Sequence, residues 1–437
     1  MLPRKRLLLT MAAAGVLALP AAVIAGLCLG NACREPDRAQ GPVPFCSLPA
    51  ELRTSMERGF RDARSPHVLA VAGKTAVESP TGEWLSIRGV RPPEVPLVFA
   101  GSAVRAGEEV PAGTTLDAVA PTLAEMMGLV RPDPRVRSGE AIPNLASSEK
   151  PRLAVVVVWK GVTSRGLQKR PQLWPVLRGL IEDGAATMQA DPGSLPQDPA
   201  AILNTIGTGT LPRDHGITGS LVRNDQGEVV QPWSEGAPFS VVASLGDHLD
   251  ELTDQVAGVG LIGTDVTDQG LIGGNWYIEH DRDEVFIEPD PEVQAGTTGE
   301  LMVSSYGGDE VTDLLGVAMA GSIPKLDTAL GRILSTAKKV SGDSFVLAVT
   351  STGSDGSDMS GAFPLSEVES EVSTTLGADV IEAATAGGFF LDQDAMTAAD
   401  LSDDRVVDAL RRVKTGSGEP LFADVFPSIA VTFGKYC

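Results

Sequence analysis

The run PRLAVVVVWKG, residues 151–161, constrains the fold more than any other part of the chain. Its stretch from Leu153 to Trp159 is apolar throughout and rich in valine, so it has no polar face to give to water. A strand covered on both sides tolerates that pattern, and such strands belong to parallel sheets packed between helices. The next segment supplies cover, because LWPVLRGLIEDGA reads as an amphipathic helix that stops at Gly184. Strand-like runs recur as VLAVA, VPLVFAG and FVLAVT, and a second amphipathic helix is predicted from Ile323 to Leu334. With 437 residues, 43% of them hydrophobic, the chain can bury a sizeable core as one large α/β domain or two smaller ones.

Charge and termini narrow the setting. A net charge of −22 with no Lys/Arg-rich run beyond the first residues speaks against nucleic acid as a partner. Arg4, Lys5 and Arg6 precede an apolar run from Leu7 to Gly30 that is long enough to cross a bilayer. Residues 1–33 are therefore expected to be a signal anchor, or a signal peptide cleaved before Cys33. Either places the rest outside the cytoplasm, tethered in the first case and secreted in the second. Residues 34–47 have the Pro, Gly and charge content of a linker. Gly258, Gly260 and Gly263 spell a dinucleotide-type fingerprint, but the Gly-rich sequence after them does not suit the helix that the fingerprint needs. Trp159, Trp233 and Trp276 read as core or rim packing residues rather than a pocket lining.

The stretch from Ser194 to Ser220, SLPQDPAAILNTIGTGTLPRDHGITGS, resembles the nucleophile segment of the alkaline phosphatase superfamily, most closely its type I phosphodiesterase/nucleotide pyrophosphatase branch. Thr205, Thr208, Gly209, Pro212, Arg213, His215, Gly216 and Ile217 fit the pattern. The family's nucleophilic Thr or Ser would fall on Asp198 or Pro199, neither of which bears a hydroxyl. The resemblance implies two metal ions held by Asp and His at the carboxyl ends of parallel strands, and the ligand positions are altered here. Lys160 stands where the first strand ends in a metal-binding Asp. Asp313 to Val317 is aligned with the D-x-x-G-H motif, leaving Asp313 and replacing its His partner by Val317. Thr352 and Gly353 replace the ligands of the S-D-H-G motif. Of four histidines, His67, His215, His248 and His280, none lies at a ligand motif, and His215 is read as framework. Asp355 and Asp358 sit in a Ser/Gly loop read as a solvated acidic loop.

Segment order is also altered. VPLVFAG with DAVAPTLAEMMGL, Val95 to Gly101 and Asp117 to Leu129, resembles the family's closing elements, yet here it comes first. The expectation is an alkaline-phosphatase-like α/β fold, a mainly parallel sheet flanked by helices on both faces, circularly permuted. Residues 48–150 are then its displaced C-terminal part, residues 151–437 its N-terminal and central part, and the joint falls near 130–150. Two truncated domains are the alternative. The permutation implies that Cys437 lies beside Cys46; a free terminal thiol and a Cys33–Cys46 pair are the other readings. Lys160 is expected to neutralise Asp313.

Two functions follow from the resemblance. One is a degenerate pseudoenzyme whose fold serves as a binding or structural module, with a protein or small molecule as partner and no cofactor. The other is a phosphoester hydrolase with a rebuilt site, Asp198 as nucleophile and Lys160 as electrophile, for which two metal ions would be expected if the family's chemistry were retained.

Overall fold

In the computed structural model the described residues are 45–72, 76–78, 93–131, 137–277, 283–288, 290, 306–307, 311–353, 362–385 and 387–437. The proposed anchor, His280 and the Asp355–Asp358 loop lie outside them. Among the described residues no helix is long and apolar enough to cross a membrane.

The elements needed below are numbered in chain order. They are α1 (Ala50–Gly59), β1 (Val68–Ala72), β2 (Val95–Gly101), α2 (Val119–Met127), β3 (Leu153–Trp159), α3 (Pro175–Asp183), β4 (Ala185–Ala190), α4 (Pro199–Thr208), α5 (Leu245–Thr253), β5 (Val259–Gly263), β6 (Glu284–Ile287), β7 (Asp313–Met319), α6 (Ile323–Ser341), β8 (Phe345–Ser351), β9 (Ile381–Thr385), β10 (Gly388–Leu391), β11 (Phe422–Pro427) and the short terminal helix α7 (Ser428–Thr432).

Among the described residues the main sheet has seven strands in the order β4-β2-β8-β3-β7-β5-β6. The neighbours from β8 to β6 pair in parallel. Only β2 is reversed, antiparallel to both β8 and β4. The valine-rich run is β3, near the middle of the sheet, and every one of its residues is buried. Its alternate side chains feed two cores. Ala154, Val156 and Val158 pack with α2, α4 and α5 on one face. Val155, Val157 and Trp159 pack with Leu177 and Leu180 of α3 and with Leu326, Leu330 and Ile333 of α6 on the other. Each such aliphatic side chain contributes about 1.5–3 kcal/mol when fully buried, so the unbroken apolar run is a requirement of the two-sided cover. Helix α3 ends at Gly184, as the sequence suggests, and α6 continues past Leu334 to Ser341.

A smaller antiparallel sheet, ordered β9-β10-β1-β11, stands beside the main one. The segment 48–150 thus lends β1 to the small sheet and β2 to the large one. The stretch 137–150, expected as joint, is more than a solvated connection. Ile142 and Leu145 are buried in the core, the Gly139 amide donates to the Gly209 carbonyl at 3.1 Å, and Ser138 donates to Asp117 at 2.6 Å.

At the chain end Cys46 and Cys437 form a disulfide, with Cα atoms 5.2 Å apart. Behind it Phe45, Leu52, Met56, Phe426 and Val431 make a separate apolar cluster that joins α1 to β11 and α7.

Candidate functional site

Residues just past the carboxyl ends of β3, β5 and β8, with the start of α4, converge at one edge of the main sheet, the usual place for a ligand crevice in open α/β folds. Lys160 follows β3, and its amide donates to the Met319 carbonyl at 2.7 Å. Its ammonium donates to Thr264 Oγ1 and to Asp268 Oδ1, each at 2.7 Å. Asp268 is fully buried and the Lys160 side chain is 15% exposed. The second carboxylate oxygen of Asp268 accepts from the Thr264 amide at 2.7 Å, the Thr264 hydroxyl at 2.9 Å and the Asp265 amide at 3.1 Å. Both oxygens are therefore engaged, and the ion pair closes the end of β3 with hydrogen bonds on every side.

Asp198 caps α4. Its Oδ1 accepts from the Ala200 amide at 3.0 Å, and its Oδ2 accepts from Ser220 Oγ at 2.9 Å. Pro199 occupies the first helical turn, where its missing N–H is no loss. Burial pushes the Asp198 carboxyl pKa up, opposed by the Ser220 and Ala200 hydrogen bonds and by the charge of Lys160. A buried carboxyl whose two oxygens already accept bonds is a weak nucleophile.

Thr352 and Gly353 follow β8. The Thr352 amide donates to the Trp159 carbonyl at 3.1 Å, and its hydroxyl accepts from the Gly161 amide at 3.0 Å, so this side chain laces two strand ends together. Gly353 has φ +81°, a left-handed conformation that favours glycine, and it lies against the amide end of Gln197.

The structure corrects two expectations. Asp313 does not face Lys160. It opens β7 opposite Leu153, the first residue of β3, whereas Lys160 follows the last. Its carboxylate accepts instead from the Gly258 and Gly307 amides at 2.7 and 2.6 Å. Nor is Val317 at a ligand position, being fully buried inside β7. The Asp313–Val317 run is a strand, and β7 passes to α6 through only Ala320 to Ser322, so the motif alignment there fails.

Three site residues escaped sequence reading: Thr264, Asp268 and Gln197. The first two lie in GTDVTDQG, seen only as the tail of a glycine fingerprint. Asp265 and Asp268 form a capping box on the short helical turn Val266–Leu271, and their three-residue spacing was the available signal.

His215 is framework. The Ile217 amide donates to its Nδ1 at 3.1 Å, and its Nε2 lies 3.2 Å from Thr205 Oγ1. His248 sits elsewhere, accepting from Arg131 Nε at 3.2 Å, and the half-buried His67 accepts the Leu391 amide at 3.0 Å. Burial, aided by neighbouring arginines, lowers both His215 and His248 from 6.5 to about 3. The unfolded chain then binds protons that the native one refuses. Their contribution is complete above about 6.5 and is lost as pH falls from there towards 3, at about 1.4 kcal/mol per pH unit for each histidine. Urea melts at stepped pH are expected to show that slope, and H215Q and H248Q to flatten it; equal slopes in all three proteins would refute the assignment.

Trp159 is buried in the core, Trp233 packs near Phe239, and Trp276 donates to the Ser240 carbonyl at 2.9 Å. Among the described residues no group of three or more His, Cys, Asp or Glu is placed to hold a metal ion.

Fold and site together define an α/β protein with a mainly parallel, helix-flanked sheet whose carboxyl edge is closed by an ion pair and a helix cap. No family model matches the chain, and no curated protein matches it in sequence. Among solved structures it is similar to wild-type alkaline phosphatase PafA, at 15% identity and a TM-score of 0.43 over 61% of this chain and 76% of that one. A mutant of that enzyme gives 14% and 0.42, over 60% and 76%. Phosphonoacetate hydrolase from Sinorhizobium meliloti 1021, in complex with phosphonoacetate, gives 13% and 0.33, over 61% and 81%.

Proposed function

We propose that this chain is a circularly permuted, catalytically degenerate member of the alkaline phosphatase superfamily, tethered to a membrane with its folded part outside the cytoplasm, and that it acts as a binding or structural module. The observation that carries the reading is the Lys160–Asp268 pair at the end of β3, where relatives by sequence resemblance place a metal-binding carboxylate. A fixed ammonium disfavours a cation beside it, so the site's charge logic is inverted. Asp198 supports the same reading, because it is spent on capping α4. The permutation is supported by β2, which the early segment inserts between β4 and β8 of one shared sheet, and by the proximity of Cys46 to Cys437. The partner is a protein or small molecule rather than nucleic acid, given the net charge of −22.

The purified chain is expected to hold no stoichiometric zinc and to leave nitrophenyl phosphate, phosphodiester and sulfate esters intact, as read by elemental analysis and a chromogenic assay. Tight binding of two metal ions, or turnover abolished by D198A, would reinstate the hydrolase reading.

A further inference from the structure

The terminal helix α7 and the helical turn after it, Gly434–Tyr436, have two unlike sides. Val431 is buried against Phe45, Leu52 and Met56. Gly434 lies so close to Phe45 and Glu57 that a Cβ would collide with both, which fixes the inner side. The outer side carries Ile429, Phe433 and Tyr436, exposed by 54, 56 and 74%. Backbone bonds run from the Phe433 amide to Ile429 and from the Tyr436 amide to Phe433, so the three follow one another along one face. The rings of Phe433 and Tyr436 are 6.1 Å apart.

We infer that this face docks on the surface of a zwitterionic lipid bilayer. Aliphatic and aromatic side chains grouped on one exposed face, with a tyrosine among them, suit the boundary between headgroups and acyl chains. The sequence brings that surface within reach. The apolar run ends at Gly30, and residues 31–44, which span at most about 50 Å, lead to Phe45. Phe45 packs edge-on against Phe426, and the adjacent Cys46 is bonded to Cys437, next to Tyr436. The patch is therefore held at the point where the tether enters the folded part, and the tether keeps its local concentration at the bilayer high. Strong negative charge disfavours anionic lipids, which selects a neutral headgroup. The inference rests on the tethering reading of residues 1–33.

The test uses the full chain reconstituted in phosphatidylcholine vesicles, with F433W and, should that variant fold poorly, Y436W. The fluorescence that the substitution adds is expected to be quenched by phosphatidylcholine brominated on its acyl chains, both in vesicles and in nanodiscs holding one copy, and to be quenched less in vesicles rich in phosphatidylserine. Absence of quenching while the chain stays with the vesicles through an alkaline carbonate wash overturns the docking and leaves the tether standing. Release of the chain by that wash overturns the tether, and the docking with it. Quenching that vanishes in single-copy nanodiscs assigns the face to a second copy of the chain instead.

Discussion

C437S is expected to lower the unfolding free energy by about 6 kcal/mol, the value the chain-entropy account gives for closing a loop of this length. The Cys46–Cys437 bond spans 391 residues, so nearly all of the folded chain lies inside the ring it closes. Without it the unfolded ensemble gains freedom, while the native cluster of Phe45, Leu52, Met56, Phe426 and Val431 keeps its packing. The loss should therefore appear as an earlier urea midpoint under oxidising conditions, and wild type treated with reductant should converge on the variant. An unchanged midpoint would mean that the apolar cluster alone holds the ends together. Recovery of Cys437 as a free thiol in non-reducing peptide maps would remove the bond, and with it a main support for the permuted order.

K160M is expected to cost about 3 kcal/mol, because it strands a fully buried carboxylate whose ammonium partner is gone. The slight exposure of Lys160 argues for the lower end of the range found for broken buried pairs. Combining K160M with D268N should cost clearly less than the sum of the single changes, since the amide keeps an oxygen for the Thr264 and Asp265 amides and no longer needs a cation. Additive losses in the double-mutant cycle would show that the two side chains stand together without interacting. A cycle between Lys160 and Asp313 should show no coupling, as these residues lie at opposite ends of adjacent parallel strands, about 20 Å apart along seven residues.

That contrast shows how far local sequence reaches. Lys160 was legible as a departure from a resembled pattern, because the strand before it is unmistakable and its end is fixed by the loss of apolar character. Its partner was not, since Asp268 is 108 residues away and meets it only because β5 lies two places from β3 in the sheet. Asp313 carries the complementary lesson. The letters of DLLGV resemble a ligand motif, but the same letters are the beginning of a buried strand, and parallel pairing with β3 carries Asp313 to the far edge. Asp198 was found for the hydroxyl it lacks; its work as a cap became visible only with the Ala200 amide donating to it.

The sequence by itself determined the layers. A valine run without a polar face demands cover on both sides, amphipathic helices demand something to cover, and these are properties of solvation read over a few residues. Tertiary structure decided which charged groups meet, because strand order and direction, not spacing along the chain, set the distances over which charges attract. A carboxylate fully removed from water depends on the one ammonium that the sheet brings within 2.7 Å of it.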